Sequence, residues 1–391
     1  MDHSPATRNA LIDLVRQWHQ DATPWVPSGM GSRLHWGPTI EATPDVLSCR
    51  ALRGVIDHAV DDLTITVEAG LSLADLQSLL AREGQWLPVD WPRGTDPQEL
   101  KSAGSIGGLV ARGLAGGLRQ RHLGIRDQII GIGLLRTDGT SAKAGGRVVK
   151  NVAGYDLMRL LCGSWGSLAL ITDITLKVQP IRPAHAALHL QGGVEELERF
   201  RAGVLRSTLT PERCDWWNEG DNAWTLRLLV SSVSDQAVRD QLSRLASLGK
   251  QHRLSAEQHA CDNPLYSGRF ADPMHWLVRV VLPPAALASL LISTECSGLR
   301  GWHWDLAAGA GCGDGWQPQQ ASATKAATVV QLRRRVEELG GRLTVLQQPD
   351  VSIDRIPCWL DAPARTVIEA VKQQFDPKRQ LSPGRLPGVG G

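Results

Sequence analysis

Glycine is clustered in this chain, and two of its clusters constrain the fold more than any other feature. The first, Pro27-Ser28-Gly29-Met30-Gly31-Ser32, directly follows the apolar stretch Trp25-Val26. The second, residues 102–117 (SAGSIGGLVARGLAGG), brackets a small apolar run. A bare backbone can point several N–H donors at one anion with no side chain in the way. Two such loops in one domain suit a pyrophosphate gripped from both sides. Neither 27–32 nor 105–108 contains Lys or Arg, so backbone dipoles are expected to carry the charge, helped by a helix start at Gly107-Gly108.

The familiar phosphate fingerprints do not account for these loops. G-x-G-x-x-G fails at each start, because Leu34, Arg136 and Trp316 stand where the third glycine belongs. No G-x-x-x-x-G-K-[ST], G-x-S-x-G or H-E-x-x-H occurs, which removes P-loop NTPases and two hydrolase classes. The seven cysteines are odd in number and none is in C-x-x-C spacing, so no disulfide framework, zinc site or iron–sulfur site is encoded. A net charge of +2 offers no cationic field for nucleic acid. With no run of 18 apolar residues and no basic-then-apolar leader, the expectation is a cytoplasmic chain without a transmembrane segment, any membrane contact being peripheral and through partners.

Periodicity divides the chain. Leu11, Leu14, Val15 and Trp18 predict a helix over 7–20, and Ser72-Leu73-Ala74-Asp75 reads as a capping box opening a helix to about residue 83. Residues 63–67 and 168–178 alternate like strands, and 129–142 reads as a hairpin whose Thr137-Asp138-Gly139-Thr140 predicts a type I′ turn. Pro180 and Pro183 mark a boundary. Beyond it, helical patterns at 194–206, 235–248, 284–293 and 325–339 alternate with strand-like runs at 224–230, 276–282 and 343–346. The 14 tryptophans are scattered, as core filler would be.

Several segments in order then carry a resemblance: PSGMGS (27–32), VEAGLSLADLQSLL (67–80), LPVD (87–90), SIGGLVA (105–111), IRDQIIGIGLLRTDG (125–139), KNVAGYDLMRLLCGSWGSLALITDITLKV (150–178) and DPKRQLSPGR (376–385). Together they resemble the FAD-binding domain of the vanillyl-alcohol-oxidase/para-cresol-methylhydroxylase (PCMH) type, most similar to the glycolate oxidase (dehydrogenase) E-subunit group. The resemblance implies an α+β fold: a two-subdomain PCMH-type FAD-binding domain over 1–181, an α+β cap domain over 182–365, and a C-terminal segment, 366–391, returning to the FAD domain.

It also implies noncovalent FAD, since the first loop lacks a histidine and His35 lies beyond it. Carried over by position, Ser28, Gly29, Met30, Gly31 and Ser32 would hold the pyrophosphate, with Ser105, Ile106, Gly107 and Gly108 as the second cradle. Gly166, Ser167 and Ile171 would line the adenine and ribose side, and Lys150 with the 153–156 run would sit nearer the flavin.

One departure bears on activity. Hydroxy-acid dehydrogenases of this type carry a cap-domain H-x-x-G-D-G-x-x-H metal site and a later E-H-G. Here Gly313-Asp314-Gly315 is present, but Gly311 and Pro318 are expected at the positions of the two histidines, and no E-H-G exists. The Gly-Asp-Gly is either a remnant or a coincidence. No metal and no catalytic residue is assigned. The implied function is the FAD-binding subunit of a glycolate (2-hydroxy-acid) dehydrogenase complex, oxidising glycolate to glyoxylate with a catalytic flavin subunit and an iron–sulfur subunit as partners. A self-sufficient dehydrogenase for another small 2-hydroxy acid such as D-lactate, and a non-enzymatic assembly subunit, stay open.

Overall fold

The computed structural model describes residues 1–40, 44–146, 155–221, 223–259, 275–349 and 355–390. Lys150, Ala153 and Gly154 lie outside the described residues.

The first helix, Arg8–Asp21, starts where the Thr7 hydroxyl accepts the Ala10 N–H at 3.2 Å, and it buries Leu11, Val15 and Trp18. The chain then enters a small parallel sheet in which Asp45–Ser48 lies between Asp2–His3 and Trp25–Ser28. Ser28 ends its strand at the first glycine loop. An antiparallel sheet follows in the spatial order Val55–Ala59, Thr64–Glu68, Leu170–Lys177, Ile129–Leu135, Ser141–Gly145. Helix Leu73–Arg82, capped by the Ser72 hydroxyl on the Asp75 N–H at 2.9 Å, packs Leu73, Leu76 and Leu80 against Ile65 and Val67 of this sheet.

The hairpin joining 129–135 to 141–145 forms as expected, with a different turn. Gly139 alone takes positive φ (+79°), its N–H donating to the Arg136 carbonyl at 3.0 Å, whereas a type I′ turn needs Asp138 left-handed too. One left-handed glycine after a type I turn closes the strands just as well.

The second domain is built on one eight-stranded antiparallel sheet in the order Ser255–His259, Ala184–Gln191, Thr225–Ser232, Arg213–Asn218, His303–Ala307, Cys312–Trp316, Leu277–Val281, Arg342–Gln347. Helices Val194–Leu205, Asp235–Gln251 and Ala326–Glu338 cover one face, sharing a core with Cys214, Trp216, Val278, Val280, Trp304 and Leu306. Side chains on a strand alternate between faces, so Arg213, Asp215, Trp217, Arg279, Asp305, Asp314 and Trp316 fall on the other face, toward the first domain.

The same alternation explains Gly313 and Gly315. A Cβ on Gly315 would sit 2.4 Å from the Trp304 ring, and one on Gly313 2.6 Å from the Leu306 Cα. The glycines leave room for large neighbours, while Asp314 between them faces the domain junction.

Helix Arg365–Phe375 and the loop after it come back to the first domain. The Trp25 N–H donates to the Gln380 carbonyl at 2.9 Å and the Ser382 N–H to the Trp25 carbonyl at 2.8 Å. Lys372, buried, donates to the carbonyls of Ser167 (2.7 Å) and Leu381 (2.8 Å) and to Asp376 (2.6 Å).

Candidate functional site

A cleft of about 800 Å³ opens beside the first glycine loop, lined by Ser28, Gly29, Met30, Gly31, Ser32, Ser105, Gly107, Gly108, Gly166 and Ile171 among others. The fold therefore brings together expected residues from three separate segments, 28–32, 105–108 and 166–171. Two expected members are not on its surface. Ile106 is fully buried in the core behind it, and Ser167, also fully buried, turns its hydroxyl to the Ser164 carbonyl at 2.6 Å. Tyr155, at the end of the 153–156 run, is exposed.

The two loops are not equivalent. No hydrogen bond to another described residue engages the N–H groups of Gly29, Met30, Gly31 and Ser32, and Gly31 has φ +76°, so consecutive donors stay open to the cleft. In the second loop the Ile106 N–H goes to the Leu71 carbonyl (2.9 Å), the Gly107 N–H to the Ala69 carbonyl (2.8 Å) and the Gly108 N–H to the Ser105 hydroxyl (3.2 Å). These donors are spent on the fold. The second loop is a wall rather than a second cradle.

Its glycines are there for close packing. A Cβ on Gly107 would meet the Ala69 Cβ at 2.8 Å, and one on Gly29 the Ser105 Oγ at 1.8 Å, so the first loop approaches the Ser105 side chain, and the second loop Ala69, only because glycine stands at each contact.

Cations supply what the second loop does not. Arg33, Arg112 and Arg385 line the cleft, and among the described residues no Asp or Glu does. Arg33 is a clamp: its guanidinium reaches the carbonyls of Ser102 (2.7 Å), Ala103 (2.9 Å), Pro92 (3.2 Å) and Arg93 (2.8 Å), tying the loop to 92–103. Arg385, from the returning C-terminal segment, donates to the carbonyls of Leu34 (2.5 Å) and Pro38 (3.2 Å). None of these acceptors carries a charge. Burial pushes Arg33 down to about 10 and, with Arg33 nearby, Arg112 to about 9, the signature of cations held without anions. All remain charged at neutral pH, so an open N–H loop under uncompensated arginines fits a diphosphate.

The loop motifs themselves do not announce these arginines, which lie outside both loops. Arg33 lies one residue past the first, and Arg112 one helical turn past Gly108.

Cys49 is the only nucleophilic thiol on the cleft wall among the described residues, and burial pushes it up to about 12. No histidine lines the cleft among the described residues. His35 instead hydrogen-bonds Gln347 Oε1 at 3.1 Å.

A second chamber of about 560 Å³ lies at the domain junction, sharing Arg112 with the first. Its walls are ion pairs. Arg93 reaches Asp305 (2.6 Å) and Asp314 (3.6 Å), Arg279 reaches Asp314 (3.0 Å), and Arg213 reaches Asp215 (2.8 Å) and Asp90 (3.4 Å). Asp305 and Asp314 are direct cross-strand partners, and Arg93, stacked 4.4 Å over Trp316, separates their charges. The H-x-x-G spacing puts the first histidine position at Ala310 rather than at Gly311, and the second at Pro318, and neither is a histidine. Among the described residues no group of three His, Cys, Asp or Glu converges to hold a metal.

Residues 3–145 match the family model described as FAD binding domain. A solved structure of alkyldihydroxyacetonephosphate synthase has the same fold, with a TM-score of 0.68 over 98% of this chain and 77% of that one at 13% identity. Fold and cleft thus define a PCMH-type, FAD-dependent oxidoreductase. The chain is 30% identical over 377 residues, 96% of each chain, to glycolate oxidase subunit GlcE of Escherichia coli (strain K12). It is 32% identical over 178 residues to glycolate oxidase subunit GlcD of Bacillus subtilis (strain 168), covering 45% of this chain and 36% of that one. The chain belongs to the glycolate oxidase GlcE family of PCMH-type flavoproteins, and its cofactor is FAD.

Proposed function

We propose that this chain is the FAD-binding subunit of a complex oxidising glycolate, or a closely related small 2-hydroxy acid, and that the hydroxy-acid site lies on a companion flavin subunit. Similarity to GlcE along nearly the whole chain supports the subunit role, and partial similarity to GlcD and to D-lactate dehydrogenases supports the substrate class. The observation that carries the division of labour is the second chamber. Asp305 and Asp314 there are already committed to Arg93 and Arg279, and no histidine lines it among the described residues. Among the described residues a hydroxyl would find there no uncommitted carboxylate and no histidine to act as its base.

In this reading the N–H groups of 29–32 orient the diphosphate of FAD, Arg33 holds their loop in shape, and Gly166 and Ile171 bound the cleft on its far side. FAD supplies electron acceptance and transfer when bound. An iron–sulfur partner would take the electrons onward. No helix of the described residues is long and apolar enough to cross a membrane, so any membrane contact would come through partners.

Purification of the tagged chain from its native host tests this. A histidine-bearing flavin subunit and an iron–sulfur subunit should come with it in fixed ratio, and deleting this chain should abolish glycolate oxidation. Isolation of the chain alone from a host that keeps full activity after its deletion would overturn the proposal.

A further inference from the structure

Arg112 is the unusual group at this site. It ends helix Ile106–Arg112 and folds back over the turn before it, so that a Cβ on Gly108 would lie 3.7 Å from its Nη1. The guanidinium thus lies against the backbone of the cleft wall. Trp36 is shared as a platform, with the Arg33 guanidinium 5.3 Å and that of Arg112 5.7 Å from its ring. There the likeness to the other arginines ends. Arg33 and Arg385 are filled with carbonyl acceptors, whereas the buried Nη2 of Arg112 has no hydrogen-bond partner. The carboxylates of the adjoining chamber do not serve it, since Asp90, Asp305 and Asp314 are paired with Arg213, Arg93 and Arg279. A buried guanidinium nitrogen without an acceptor costs stability and persists where a ligand supplies the acceptor.

We propose that Arg112 is the side-chain anchor of the FAD diphosphate, a charged fork added to the backbone cradle of Gly29–Ser32. The proposal rests on the FAD reading and goes beyond it, by naming one residue that sets affinity for the phosphate part of the cofactor. A planar guanidinium suits this role because its donors match two phosphate oxygens at once. The position explains why the second loop can spend its own N–H groups on the fold: the anion contact on that side comes from one helical turn further on.

The test uses the full chain stripped of flavin, titrated with FAD, ADP and riboflavin by fluorescence or calorimetry. Arg112→Met should weaken FAD and ADP about 30-fold and leave riboflavin within about twofold, and Arg112→Lys should recover part of the loss. The ligand-free melting temperature of Arg112→Met should equal or exceed that of the wild type, because an unpartnered buried cation has gone. A residue with a purely structural role would lower it. FAD and ADP affinities within about threefold of wild type overturn the proposal, and so does an equal loss for riboflavin. Arg112→Gln, polar and uncharged, gives the same readouts if the methionine variant does not fold. Failure of the wild-type chain to bind either FAD or ADP would instead overturn the FAD reading itself.

Discussion

Replacing Arg93 with methionine probes what holds the two domains together. In the wild type its guanidinium lies 2.6 Å from Asp305 and 3.6 Å from Asp314, with Arg93 and Asp305 each only 7% exposed and Asp314 10%. The two aspartates face each other across adjacent strands, where opposed Cβ atoms stand roughly 5 Å apart. At an effective dielectric of about 20, two like charges at about 5 Å repel by roughly 3 kcal/mol. Arg279 still neutralises Asp314 in the variant, so the carboxylate that loses its direct ion-pair partner is Asp305. Removing one partner of a buried pair typically costs about 3–5 kcal/mol, and we expect Arg93→Met to fall in that range. Urea unfolding followed by tryptophan fluorescence measures it directly, Trp316 lying under the missing guanidinium. Adding Asp305→Leu should restore most of the loss, because a buried pair replaced by apolar groups is often neutral. A single-variant loss below about 1 kcal/mol would refute the reasoning.

Four further outcomes follow from the same geometry. Acid precipitation should release all flavin into the supernatant, since Cys49 is held as an inert thiol and no described histidine lines the cleft; colour left on the pellet contradicts this. Gly107→Val should lower the melting temperature through its collision with Ala69, costing about 1–3 kcal/mol. Gly108→Val, whose Cβ has 3.3 Å to the Ser105 Oγ, should instead keep the fold and lose FAD affinity; unchanged FAD binding would show that this wall is misplaced. Burial, opposed by Arg213 and reinforced by Asp305 and Asp90, holds the Asp215 carboxyl up at about 7 against an ordinary 3.8. Between those values the folded chain keeps a proton that the unfolded chain has lost, so this group's contribution is present at low pH and lost as pH rises through about 4 to 7. Relative to wild type, Asp215→Asn should gain stability at pH 8 over pH 5, and identical pH profiles would count against it.

What the sequence disclosed depended on how local the signal was. The helix over 8–21, the capped helix at 73–82 and the alternating strand at 170–177 are dictated by neighbouring residues and were legible. Trp216, Trp302, Trp304 and Trp316 fill cores as their scatter suggested. The first glycine loop was legible because an open N–H row needs glycine at particular positions. The spent donors of the second loop were not, since their acceptors, Ala69 and Leu71, lie some 35 residues earlier. Arg112 left a trace in the i, i+4 spacing from Gly108, whereas Arg385, from the opposite end of the chain, was legible only through the resemblance of segment 376–385 and not as a cation of the cleft. The ion-pair network was half legible. The runs RCDWWN, HWDLA and CGDGW each set an aspartate among apolar residues with period two, yet only the sheet order shows that Asp215, Asp305 and Asp314 share one face.

In the proposed division of labour this chain carries FAD while a companion flavin subunit oxidises the hydroxy acid. Anaerobic mixing of the purified, FAD-loaded chain with excess glycolate or D-lactate, while following flavin absorbance, tests it most directly. The flavin should stay oxidised, chelators should change nothing, and reduction should appear only when the companion flavin subunit is added. Bleaching of the chain's own flavin within seconds would contradict the account and make this a self-sufficient dehydrogenase.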